Sequence, residues 1–221
     1  MGKTAIILGA SGLTGHLVLD KLLVDNRYSK IKIFSRKSIK NRNPKIIEKT
    51  GNLIELEMFK EDFKADEVYC CIGTTAKKTP DKEVYKRIDY GIPVKAAKLC
   101  VENGIDTFLV ISSLGADPKS SVFYNRTKGE MERDVLKENI KNCYILRPSI
   151  ILGDRSEKRI GETIGIALMQ FFRFILVGKL KKYRAIRAGK IADAMIYLAN
   201  NKTDIPIIES DKITEFTISH N

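Results

Sequence analysis

The chain has 221 residues, 43% of them hydrophobic, which is enough apolar surface for one large core and excludes a disordered chain. Lysine and arginine number 39 against 27 aspartates and glutamates, a formal charge of +12 that favours anionic partners without choosing among a cofactor's phosphates, an acidic membrane surface and nucleic acid. The N-terminus lacks the charged and then apolar pattern of a secretory leader, and Ile6 stands where a myristoylation signal needs Ser or Thr. Four cysteines without C-x-x-C spacing, beside two histidines, offer no metal cage. A cytoplasmic protein with reduced thiols and no metal is therefore expected.

The apolar run Ile6-Ile7-Leu8, leading into Gly9-Ala10-Ser11-Gly12-Leu13-Thr14-Gly15, predicts a first strand, a tight turn and a helix start, the opening of a dinucleotide-binding unit. The unpaired N–H groups and positive dipole end of such a helix favour a pyrophosphate. In this pattern Gly9 permits the sharp turn, Gly12 lets backbone approach phosphate without a Cβ, and Gly15 lets the helix pack closely on the strand. Leu13, Leu17, Val18 and Leu22 recur at helical spacing, and Lys32-Ile33-Phe34 follows as strand 2. NAD-preferring folds carry an acid at the end of that strand, whereas this chain has Arg36 and Lys37, which suit a 2′-phosphate.

After a polar stretch with turns at Asn43-Pro44 and Gly51-Asn52, Leu53-Ile54-Glu55-Leu56 reads as strand 3. Val68-Tyr69-Cys70-Cys71-Ile72 reads as a central parallel strand closed by Gly73-Thr74-Thr75, so the ligand rim is expected from Gly73 to Ala76, with Cys70 and Cys71 on opposite faces. A helical pattern through Val84, Ile88, Pro93, Ala97 and Val101 stops at Asn103-Gly104. Strand 5, Phe108–Ile111, then ends in Ser112-Ser113.

Tyr124 and Lys128 share a face of the next predicted helix, which runs to about Glu138. At this spacing an ammonium favours the ionised phenol, although in isolation the pair is equally a surface tyrosine beside a solvated lysine. Tyr144-Ile145-Leu146 reads as strand 6 and runs into Arg147-Pro148-Ser149. The apolar stretch from Gly161 to Val177 is broken by Gln170 and Arg173. It is too interrupted for a membrane span, and a core or lid helix is expected, with Phe171, Phe172 and Phe174 lining an apolar pocket. A helix at Ile191 to Leu198 and a strand at Ile205 to Ile208 complete the chain. Residues 154 to 190 hold ten lysines and arginines against three acids, and the basic segment 179–190 is expected to bind an anionic membrane surface weakly. No nucleic-acid recognition motif accompanies it.

Together, the glycine motif at 9 to 15, Ser112-Ser113 and Tyr124 to Lys128 resemble the short-chain dehydrogenase/reductase superfamily. Cys70-Cys71-Ile72-Gly73-Thr74-Thr75, Ser112-Ser113-Leu114-Gly115-Ala116-Asp117, Lys128-Gly129-Glu130-Met131-Glu132 and Leu146-Arg147-Pro148 narrow this. Nearly the whole chain resembles an atypical branch, the Tat-interactive-protein oxidoreductase family. The resemblance implies an α/β Rossmann-type doubly wound parallel sheet, helices on both faces, as one NAD(P)-binding domain over 1–221 with a substrate-side segment at roughly 149–190.

The resemblance also implies an NADPH-dependent oxidoreductase of a small carbonyl or alcohol, preferring NADPH to NADH, or else an NADPH-binding regulatory or scaffold protein with little turnover. Either would act as a monomer or homodimer. Ser113, Tyr124 and Lys128 would be catalytic, with Ser112 the second choice of serine. The cofactor would lie on Gly9, Ser11, Gly12, Leu13, Thr14 and Gly15, with Arg36 and Lys37 at the ribose. Cys71, Gly73, Thr74, Thr75, Ser112, Tyr124, Lys128, Arg147 and Pro148 would complete its site. Asp89 falls where related enzymes often carry asparagine, which changes the charge of any water relay there.

Overall fold

The computed structural model describes residues 2–153 and 176–218. The strands among them are β1 (Lys3–Leu8), β2 (Tyr28–Ser35), β3 (Ile46–Thr50), β4 (Glu67–Cys70), β5 (Thr107–Ile111), β6 (Asn142–Arg147), β7 (Ile151–Leu152), β8 (Ile186–Arg187) and β9 (Ile207–Glu209). The helices are α1 (Leu13–Val24), α2 (Lys82–Lys86), α3 (Ile92–Glu102), α4 (Phe123–Lys137), α5 (Ala188–Asn200) and α6 (Ser210–Ile218), and a π-helical turn at Arg87–Gly91 joins α2 to α3. Seven strands form one parallel sheet in the order β3-β2-β1-β4-β5-β6-β9, while β7 and β8 pair separately. From β1 the chain steps outward to β3 and then returns to β4 on the other side of β1. The order therefore reverses between β1 and β4, and a crevice opens at their C-terminal ends.

Strand alternation divides the core. Ala5 and Ile7 point with Ile31, Ile33 and Leu109 towards α1 and α5, and Ile6 and Leu8 point with Val68, Phe108 and Val110 towards α3 and α4. Because both faces are covered, β1, β4 and β5 read as continuous apolar runs. Cys70 and Cys71 follow the same alternation into the two cores.

The expected strand at Leu53–Leu56 is not one. Leu53–Phe59 forms 3₁₀ turns on either side of a kink at Glu55, with Asn52 Oδ1 accepting the Ile54 N–H at the start, and the buried residues Leu53, Leu56 and Phe59 are spaced by three. Strand 3 is Ile46–Thr50, an edge strand whose residues are at most half-buried, so it carries no apolar run to announce it. The last strand is also shifted, to Ile207–Glu209. The expected helix with Phe171, Phe172 and Phe174 lies outside the described residues.

Across the sheet from the crevice, a polar network joins the strand bases. Glu67 accepts the Tyr69 hydroxyl at 2.6 Å and the Lys3 ammonium at 3.1 Å, and Tyr28 links Tyr69 to Asn200 of α5. Burial and the Glu67 charge push both phenols well above their ordinary range, so they stay protonated and act as donors.

Candidate active site at the sheet switch point

The glycine turn sits where β1 ends. Gly9 has a φ of +86°, and a Cβ there would lie 2.8 Å from the Cys71 carbonyl oxygen of the next strand. At Gly15 a Cβ would fall 2.1 Å from the Gly9 carbonyl oxygen, so only glycine lets α1 start this close to the turn. The Gly12 N–H donates to the Gly9 carbonyl at 2.9 Å. Beyond it, α1 has neither a capping side chain nor an acid in its first turn, which leaves its N–H groups and its positive dipole end to an anion.

A cleft of about 2240 Å³ opens over this turn, well above the roughly 300–1,000 Å³ of a drug-sized site and large enough for a dinucleotide with a second molecule. Ser11, Gly12, Leu13 and Thr14 line it, as do Cys71, Gly73, Thr74 and Thr75 from the end of β4. Ser112 and Ser113 enter from the end of β5, Tyr124 and Lys128 from α4, and Arg147 and Pro148 from the end of β6. Gly9 and Gly15 lie beneath the turn and shape it without lining the cleft. Arg36 and Lys37 are exposed at the end of β2, one strand away, and are not part of the lining. Their loop is braced from β3 by Glu48, which accepts the Ser38 hydroxyl and the Ile39 N–H, both at 2.6 Å.

Ser112 and Ser113 are 4% and 8% exposed, and among the described residues neither hydroxyl has a hydrogen-bond partner. A buried hydroxyl left unpaired costs about 1–3 kcal/mol, and a ligand in the cleft would satisfy it. Tyr124 is 40% exposed on the first turn of α4. Lys128, one turn further, is buried. Its Nζ pairs with Asp89 Oδ1 at 3.1 Å and donates to the Ile111 carbonyl at 3.3 Å. Burial is the largest single influence and would depress this ammonium, but the charge and hydrogen bond of Asp89, together with Tyr124 and Cys70, raise it above the ordinary lysine range.

Two expected ligand groups are already occupied within the protein. The Arg147 guanidinium lies bidentate on Glu132 of α4, with Nε at 2.9 Å from Oε1 and Nη2 on Oε2, and so ties β6 to the helix that carries Tyr124. Burial pushes the Cys71 thiol up, and its sulfur packs 3.9 Å from Met195 Sδ, so it contributes a neutral apolar wall. The basic segment 179–190 is divided among a 3₁₀ turn, β8 and α5. Within it Lys182 faces Glu209 at 3.0 Å and Arg187 lines the cleft. Glu132 and the Asp89–Lys128 pair escape a reading of spacing, since each joins residues far apart in the chain. The only local sign is the Lys-Gly-Glu-Met-Glu block in which Glu132 lies.

The sequence pattern of the NAD dependent epimerase/dehydratase family matches residues 5–201. The mitochondrial protein FMP52 of Candida albicans is 32% identical over 86% of this chain and 86% of its own length. Protein HTATIP2 of Rattus norvegicus is 33% identical over 72% of this chain and 67% of its own. The UDP-N-acetylglucosamine 4-epimerase of Methanobrevibacter ruminantium M1 superposes with a TM-score of 0.70 over 94% of this chain and 76% of that one, at 18% identity, a likeness of fold alone. The FMP52 relatives carry mitochondrial names, which overturns the expectation of a cytoplasmic protein. The N-terminal pattern behind that expectation spoke only against secretion. With the strand order, the glycine turn at the switch point and a match over most of its length, the chain belongs to the NAD dependent epimerase/dehydratase family, among the atypical short-chain dehydrogenase/reductases that include FMP52 and HTATIP2.

Proposed function

We propose that the protein is an NADPH-dependent oxidoreductase acting on a small carbonyl or alcohol substrate and, by its likeness to the FMP52 proteins, that it works in mitochondria. The observation that carries this reading is the pair of unpartnered buried hydroxyls, Ser112 and Ser113, which share one cleft with Tyr124, Lys128 and an uncapped helix N-terminus. A protein that only held a dinucleotide needs the glycine turn but has no use for a proton donor beside unsatisfied hydroxyls. When bound, the cofactor supplies hydride. The chain's own residues supply the remainder. Tyr124 gives its phenolic proton to the carbonyl oxygen, Ser113 (or Ser112 in its place) donates a hydrogen bond to that oxygen, and the Lys128 ammonium holds the ribose hydroxyls. The test is NADPH consumption across a panel of small carbonyl compounds. Tight NADPH binding without turnover of any of them would favour a cofactor-sensing regulatory protein instead.

The preference for NADPH rests on Arg36 and Lys37 at the end of β2, exposed and within one strand of the turn. A charge-assisted contact is worth about 1.5–3 kcal/mol, so Arg36→Ala is expected to weaken NADPH binding roughly tenfold or more and leave NADH binding little changed. Isothermal calorimetry with both cofactors measures this, and equal affinity of the unmutated protein for the two would defeat the claim.

A further inference from the structure

Asp89 lies in the π-helical turn, and the sequence explains why the turn is there. In an unbroken α-helix the N–H of residue 93 would bond to the carbonyl of residue 89, but residue 93 is Pro93, which has no N–H and whose ring would strike that carbonyl. The helix relaxes by one residue. The Ile92 N–H reaches back to the Arg87 carbonyl, and the extra residue shifts the register of α2 against α3.

The Asp89 side chain is 1% exposed, and both of its oxygens are engaged at the cleft. Oδ2 accepts the Thr74 N–H at 2.7 Å, and Oδ1 lies 3.1 Å from Lys128 Nζ. Thr74 belongs to the rim beyond β4, whereas Lys128 belongs to α4. We infer that Asp89 is a positioning residue, a single carboxylate that holds the cofactor rim at Thr74 and the Lys128 ammonium in fixed relation so that both present themselves to the same ligand. The inference rests on the reading of the cleft as an NADPH site.

The same contact sets the charge state of the site. The groups facing the pair are Tyr85 from α2, Tyr124 from α4 and Cys70 from β4. Burial pushes the Cys70 thiol up to about 12, and burial together with Asp89 pushes the Tyr85 phenol up, so both stay neutral around the ammonium. Asp89 is thus the anion that keeps a buried lysine protonated. An asparagine at this position would preserve the hydrogen bond to Thr74 but not the counter-charge. Burial would then dominate, and Lys128 would lose its proton as the pH rises.

The experiment is a calorimetric titration of NADPH at several pH values from about 7 to about 10, in Tyr124→Phe and in Tyr124→Phe/Asp89→Asn, so that the phenol cannot contribute. NADPH affinity is expected to vary little across the range in the first. In the second it is expected to fall by roughly tenfold or more towards the alkaline end, beyond any constant loss. Identical pH profiles would overturn the inference, because a merely structural role lowers affinity equally at every pH.

Urea unfolding of the cofactor-free protein supplies the second measurement, through the cycle Asp89→Asn, Lys128→Met and the double variant. Asp89→Asn is expected to destabilise strongly with Lys128 present, even to the point of preventing folding, and much less with Met at 128, since only the first leaves an unpaired buried charge. Equal cost in both backgrounds would overturn it. If the unmutated protein bound no NADPH, the proposed function would fail, and this cycle would still decide the role of Asp89.

Discussion

Tyr124→Phe is expected to keep its NADPH affinity and to lose turnover, by roughly a hundredfold or more in kcat. The ring stays on the first turn of α4, where its neighbour Phe123 stacks edge-on with Tyr85 at 5.5 Å, so nothing that shapes the cleft is removed. Only the proton donor is lost. Steady-state kinetics on a substrate from the carbonyl panel, beside calorimetry with NADPH, separates the two effects. Lys128→Ala should by contrast damage both, because that side chain is assigned to ribose binding and its loss leaves Asp89 buried without a cation. A substrate turned over equally well by Tyr124→Phe would refute the proton-donor assignment.

Gly12→Val is expected to remove NADPH binding from a protein that still folds. Of the three glycines, Gly9 and Gly15 are built into the backbone crossing itself, and substitution there strikes carbonyl groups at 2.8 and 2.1 Å. Gly12 is different. Its added Cβ would meet only the Gly9 carbonyl oxygen, at 3.2 Å, a contact that small adjustments absorb. The two methyl groups beyond it would project into the cleft that Gly12 lines, over the unpaired N–H groups of α1, where the pyrophosphate is expected. Unchanged circular dichroism with no calorimetric signal for NADPH is the expected result, and undiminished binding would take the turn out of the site.

Legibility in the sequence tracked burial. β1, β4 and β5 are covered on both faces, so their apolar runs and the turns that end them stood out, and with them the expected ligand rim. β3 is an edge strand with little to bury, and the neighbouring Leu53, Leu56 and Phe59 put their apolar groups on a 3₁₀ spacing that resembles a short strand when only four residues are read. In the site, Ser112, Ser113, Tyr124 and Lys128 were recognisable because they sit at strand ends or share a helical face. What those side chains hold could not be read. The partner of Lys128 is Asp89 and that of Arg147 is Glu132, and the pairings depend on how the π-helical turn, α4 and β6 are set against one another. Arg147 accordingly binds α4 to the sheet, a task that its place in a strand-end motif does not disclose.

α4 is held unevenly along its length. Thr127, Lys128, Gly129, Met131 and Glu132 are buried, and the helix is gripped by Arg147 at Glu132 and pressed so closely on the Asp117-Pro118 backbone at Gly129 that a Cβ there would lie 2.2 Å away. Its first turn has no capping side chain, and both Val122 and Tyr124 are exposed. Local opening should therefore cost little at the start of the helix and approach the cost of global unfolding in its middle. Amide hydrogen exchange is expected to be fast at Arg126, slow from Met131 to Val135, and slowed at the first turn when NADPH is added. The phenol assigned to proton transfer thus sits on the turn of α4 expected to open first, while the lysine behind it is anchored, and substrate entry by fraying that turn would leave the charge beneath it undisturbed.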